Sequence, residues 1–112
     1  MRFVLLMCDD DASWPTPEEI AADPEHQSWS AQMRSRRILV DGGQLRPSTE
    51  ATTVRVRGDE TLVSDGPFIE TKDLIGGFAV IECPDLDTAI EVAASHPVAR
   101  SAVVEIRPFW ET

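Results

Sequence analysis

An α+β fold is predicted for this chain, with an antiparallel sheet carrying two helices on one face. Three observations predict it. Two apolar runs, over residues 3–8 and 77–83, have the composition of strands buried on both faces. Two segments that open with helix-start signals, Thr16-Pro17-Glu18-Glu19 and Pro84-Asp85, follow those runs. Between them, Thr52-Thr53-Val54-Arg55-Val56-Arg57 alternates polar and apolar side chains, the mark of a hairpin with one solvated face.

The elements follow in order. Residues 3–8 make the first central strand. Thr16 caps a helix in which Pro17 takes the first helical position and Glu19 completes a capping box. Pro24 interrupts that helix, and Asp23 with Pro24 starts the main helix, predicted over 24–37. His26, Trp29 and Met33 share one of its faces. Arg34, Arg36 and Arg37 crowd its last turn, where positive charge suits the helix dipole. Gly42-Gly43 reads as a turn, and residues 44–47 as a short edge strand. Gly58-Asp59 turns the alternating segment into Thr61-Leu62-Val63. Residues 77–83 are the second buried strand. In the next helix Leu86, Ala89, Ile90 and Ala93 lie at helical spacing, and His96-Pro97 ends it. Residues 102–106 form the last strand, ahead of a tail with Phe109 and Trp110.

Two strand-helix-strand halves around a hairpin make a ferredoxin-like sandwich. No linker or repeat divides it, so a single domain over residues 1–112 is expected. A sheet face rich in Leu, Val and Phe cannot stay in water. A homodimer that stacks sheet on sheet is therefore expected.

Composition excludes several partners. Asp and Glu number 20 against 10 Lys and Arg, a formal charge of −10. Such a chain repels phosphate backbones and anionic lipid, so neither nucleic acid nor membrane is expected as a partner. Cys8 and Cys83 each close an apolar run and read as buried thiols. No Cys/His spacing builds a zinc site. The apolar N-terminus runs straight into Asp9-Asp10-Asp11 without a cleavage site, which argues for a strand rather than a signal peptide. No segment approaches the roughly 20 apolar residues of a membrane span, so a cytoplasmic protein is expected.

The most specific string is Asp65-Gly66-Pro67-Phe68-Ile69-Glu70-Thr71-Lys72, which leads into Gly76-Gly77-Phe78. Neither burial nor solubility requires such a string in a loop. It resembles the DGPF signature of the YCII-related (DGPF-domain) proteins. The resemblance runs along the chain in order: the strand and acidic turn at Leu5-Leu6-Met7-Cys8-Asp9-Asp10, then Gly42-Gly43-Gln44-Leu45, then Thr53-Val54-Arg55-Val56-Arg57. It continues through Pro84-Asp85-Leu86-Asp87 and Val104-Glu105-Ile106-Arg107-Pro108. It implies a dimeric α/β-barrel of two ferredoxin-like subunits, with a small-molecule site in the cleft between helix and sheet. It also implies a His-Asp catalytic pair, in which Asp65 is the matching acid and His26 the plausible partner. The chain departs from the pattern at Arg36-Arg37, where many relatives carry Ala-Gly. It departs again at Met7-Cys8, where many have an aromatic residue. The second departure alters the lining of the cleft, so a shared substrate does not follow.

Each candidate has a plainer reading. Asp65 before Gly-Pro is a good turn residue, because its carboxylate can accept backbone N–H bonds. His26 can cap or pack at a helix start, or it can transfer a proton. His96, at a helix end, reads as structural. Trp29, Phe68, Glu70 and Lys72 are the candidate substrate-binding residues. Glu70 and Lys72 read equally as a surface pair of little worth, and Phe68 and Phe78 as core or dimer-face residues. No phosphate-cradling glycine pattern and no metal constellation is present, so no cofactor or metal is expected.

Beside a purely structural dimer, two function classes remain. One is a small enzyme doing acid-base chemistry on a small molecule with His26 and Asp65. The other is a non-catalytic ligand-binding or regulatory module. The resemblance supports the second directly, since DGPF-like domains are associated with alternative sigma factors in some bacterial proteins. An acidic surface would suit a basic protein partner.

Overall fold

Strand β1 (Arg2–Asp9) is the centre on which the chain assembles. In the computed structural model, which describes residues 1–10, 14–68 and 74–111, its side chains alternate. Phe3, Leu5 and Met7 are buried on one face, while Val4, Leu6 and Cys8 are half-covered on the other. The chain continues through α1 (Pro17–Ala22), α2 (Pro24–Ser35), β2 (Leu39–Gln44), β3 (Thr52–Arg57) and β4 (Glu60–Asp65). It closes with β5 (Leu74–Glu82), α3 (Leu86–Ser95) and β6 (Val103–Pro108). The main sheet has the order β2-β5-β1-β6, and every pairing in it is antiparallel. Strands β3 and β4 form a separate two-stranded ribbon. The fold is therefore α+β with an open antiparallel sheet.

Local chemistry explains the helix boundaries. Thr16 accepts a hydrogen bond from the Glu19 backbone N–H, and Glu19 accepts one from the Thr16 backbone N–H. Asp23 ends α1 and caps α2, accepting from the Glu25 backbone N–H at 3.0 Å. The break at Pro24 thus yields three helices where the sandwich needs two. Helix α2 stops at Ser35, short of the expected residue 37, because Arg37 turns into the left-handed region (φ 57). Asp85 caps α3 through the Thr88 backbone N–H at 2.8 Å. On α3 the core takes Ala89, Val92 and Ala93, while Leu86 and Ile90 are exposed, a face turned from the expected one.

Gly42 and Gly43 correct a sequence expectation. They lie inside β2, opposite Ala79 and Phe78, and make no turn. A Cβ on Gly42 would stand 2.8 Å from the Phe78 carbonyl oxygen, so glycine here serves close strand approach. Strand β5 also begins earlier than expected, at Leu74, and is irregular where its pairing with β1 skips Gly76.

Helices α2 and α3 cover one sheet face and bury Phe3, Leu5, Met7, Ala79 and Ile81 against Trp29, Met33, Ala89, Val92 and Ala93. The opposite face is open. On it Val4, Leu6, Phe78 and Val80 are only half-buried, and Val103 is exposed. The ribbon stands apart, with Val54, Val56 and Val63 each about 60% exposed. Its reach gives a radius of gyration of 15.8 Å, against about 13 Å for a compact domain of this length. Among the described residues no helix is long and apolar enough to cross a membrane.

Candidate functional site

A cleft of ≈ 240 Å³ lies between α1–α2 and the β2–β5 edge of the sheet. The irregularity in β5 shapes its floor. The Trp14 ring lies against Gly76, where a Cβ would fall 2.1 Å from the indole, so any larger residue displaces the ring. The Gln44 side-chain amide donates to the Pro15 carbonyl and ties the segment after Trp14 to β2. Trp14 thus forms one wall. Trp29, at the other side, donates its indole N–H to the Val92 carbonyl at 3.2 Å and the Ser95 hydroxyl at 3.0 Å. Those bonds lock α2 onto α3.

His96 sits behind Trp29 and His26. Its ring meets Trp29 edge to face at 4.6 Å and His26 at 5.4 Å between centroids. Its Nδ1 accepts the Val98 backbone N–H at 3.1 Å, which assigns the proton of the neutral ring to Nε2. Burial first, and the neighbouring His26 second, push the His96 pKa down to about 4. At neutral pH it is therefore an uncharged packing partner.

His26, in the first turn of α2, projects into the same cleft lining as Trp14, Trp29 and His96. Its Nδ1 is buried and meets no hydrogen-bond partner. The indole Nε1 of Trp14 is in the same condition. These are the two side-chain polar atoms so placed among the described residues. Asp23 and Arg34 supply the carboxylate and the guanidinium in the lining.

The structure brings together only part of the predicted site. His26 and Trp29 line the cleft. Asp65 ends β4 opposite Thr52, is exposed, and lies outside the lining. No hydrogen bond or ion pair among the described residues joins it to His26. Phe68 is also outside the lining, 68% exposed, with the Arg55 guanidinium 4.8 Å above its ring. Glu70 and Lys72 lie outside the described residues.

Sequence reasoning missed His96 as a cleft residue. His96 follows α3, far along the chain from His26, and no local spacing announces that they meet. Trp14 could have been paired with Gly76 only by knowing the strand register. Among the described residues no group of three or more His, Cys, Asp or Glu side chains is placed to hold a metal.

Comparison with known proteins places this geometry in a family. The profile described as YCII-related domain matches residues 1–112, the whole chain. An uncharacterized protein of Rhizobium meliloti (strain 1021) is 42% identical over 67 residues, which is 58% of this chain and 54% of that protein. The match thus spans about half the length of that relative.

Proposed function

The chain belongs to the YCII-related domain family, and from that premise we propose that it is a small enzyme working by acid-base chemistry on a small organic molecule in the α2–sheet cleft. His26 is the proton-transferring group. One observation carries this reading: the His26 ring lines a cleft walled by two indoles, and its Nδ1 is engaged by no protein hydrogen bond. Imidazole exchanges protons near neutral pH, and its packing against His96 and Trp29 holds its ring in place. His96, neutral at neutral pH, sets no charge against the His26 ring.

In this reading the two subunits of a homodimer stack their open sheet faces into the dimeric α/β-barrel, and the clefts face outward. Asp65 serves the ribbon's base, where the Gly66 backbone N–H donates to the Ala51 carbonyl at 2.8 Å and the Thr53 hydroxyl to the Gly66 carbonyl at 2.7 Å.

The test is a turnover screen of small organic compounds, followed by His26→Asn and Asp65→Asn on any hit. We expect His26→Asn to lose roughly 100-fold or more of turnover, the usual share of general acid-base catalysis, and Asp65→Asn to stay near wild type. Equal losses in both variants would replace His26 alone by a His-Asp pair. A second reading, a non-catalytic interaction module, draws support from the exposed apolar ribbon at Val54, Val56 and Val63. Compounds that bind the cleft but are never turned over would favour it.

A further inference from the structure

We propose that the cleft selects a small organic carboxylate, seating its charged group on the Arg34 guanidinium and its reacting part at His26. The inference rests on the cleft being the ligand site, as argued above, and it names the class of ligand and the residue that selects it.

Helix α2 contributes three polar residues to the cleft lining in a row. His26, Ser30 and Arg34 stand four residues apart, about one helical turn each, so they follow one another along a single wall. Arg34 is the one guanidinium among the described lining residues, and it is exposed. Its side chain enters no ion pair or hydrogen bond among the described residues, whereas Arg2, Arg46 and Arg100 pair with Glu82, Glu50 and Glu25. In a chain with 20 acidic residues, a cation left open beside a cleft is available to a ligand. The helix end does not need it there, because Arg36 and Arg37 also suit the dipole and lie outside the lining.

Charge orients the ligand. Asp23, the carboxylate of the lining, stands eleven residues before Arg34, about 16 Å along the helix axis, so the two do not neutralise each other. It repels an anion from the His26 end, and His96, uncharged at neutral pH, adds no second cation. His26 and Arg34 lie about 12 Å apart along the axis, and the long Arg34 side chain shortens that span by leaning toward the helix N-terminus, as helical side chains do. One or two rings bearing an acid group bridge it within the ≈ 240 Å³ of the cleft. A guanidinium fork matches the planar, singly charged carboxylate, whereas a phosphate monoester brings nearly two charges to one cation. The chain's net charge of −10 does not forbid this, because salt screens acids beyond about 10 Å while the ligand touches Arg34.

Binding of 2-naphthoate, 2-naphthamide and 2-naphthylmethylamine compares an anion, a neutral molecule and a cation of similar shape. It can be followed by NMR on the backbone amides of Ser30, Gly42 and Gly43, which line the cleft. We expect naphthoate to bind roughly tenfold tighter than naphthamide, about the worth of one hydrogen bond to a charged group. Arg34→Gln should abolish that preference while naphthamide binds as before, and Arg34→Lys, which keeps the charge, should retain part of it. Arg36→Gln removes an equal charge from outside the lining and should leave the preference intact. Arg34 is exposed and glutamine is as good a helix former, so the fold should survive, with helical content as the check. Equal affinity for naphthoate and naphthamide, or tighter binding of the amine, would overturn the inference and leave the cleft a ligand site. So would equal losses in Arg34→Gln and Arg36→Gln, which would make the attraction general rather than a contact. No perturbation of cleft signals by any probe would overturn both this inference and the ligand-site reading beneath it.

Discussion

Burial and the adjacent His26 hold the His96 imidazole at about 4, against an ordinary histidine value of 6.5. The folded chain therefore refuses a proton that the unfolded chain accepts between those values. Linkage gives the sign: the His96 contribution is complete above 6.5 and is lost as pH falls toward 4. The loss is about 3 kcal/mol at most. Urea unfolding at about pH 7.5 and about pH 4.5 should show it. His96→Gln should be less stable at the higher pH and lose less on acidification. An unchanged pH dependence in that variant would mean that His96 does not titrate in this way. Gly76 gives a second expectation at this scale. In Gly76→Ala the new methyl group displaces the Trp14 ring from the cleft wall. Its fluorescence should shift to the red as it meets water.

Among the elements, β2 and the ribbon make opposite demands on glycine. Gly42 faces the β5 backbone, and Gly42→Ala must push the two strands apart, at a cost of about 1–3 kcal/mol. Gly58 meets nothing within 4 Å, and its positive φ of 59 alone makes Gly58→Ala unfavourable, by about 1 kcal/mol. Thermal unfolding of both variants should rank them in that order. The ribbon itself adds little to the core. A hairpin of this kind is marginal alone, and its base is already closed by the Gly66–Ala51 hydrogen bond at 2.8 Å. Replacing residues 52–65 by a short Gly-Ser link should therefore leave the body folded, with its melting temperature little changed. Collapse of the shortened chain would show that the ribbon packs on something the body needs.

At the scale of the whole molecule, the open sheet face is the feature that asks for a partner. Val4, Leu6, Phe78 and Val80 are half-buried there, and Val103 and Ile75 are exposed beside them. A second copy stacked on this face would bury them all. Sedimentation should show a dimer for the wild type and a monomer for Val80→Asp with helical content kept. A monomeric wild type at tens of micromolar would remove the barrel arrangement. With each chain at −10, like charge opposes association, so added salt should tighten the dimer.

Much of this molecule was legible in the sequence because the signals were local. The Thr16 capping box, the Asp23-Pro24 restart and the Asp85 cap each depend on residues a few positions apart, and each forms as read. Strand β1 and the hairpin also form, but β1 buries one face where two were expected, and the hairpin exposes both faces where one was expected, because burial depends on what packs against a strand. His26 and Trp29, one turn apart on α2, were placed on a common face for the same reason, and both line the cleft. Other features were decided only by tertiary structure. Gly42-Gly43 looks like a turn until β5 is laid beside it, and close strand approach then gives the glycines their purpose. Asp65 looked like the partner of His26, but β4 carries it along the ribbon, away from the cleft lining. Trp14 and His96 come to His26 through strand register and helix docking, which join residues far apart in the chain. Local patterns set the elements because hydrogen bonds and caps act within a turn or two. The cleft was left to packing, because only the folded core brings its distant side chains together.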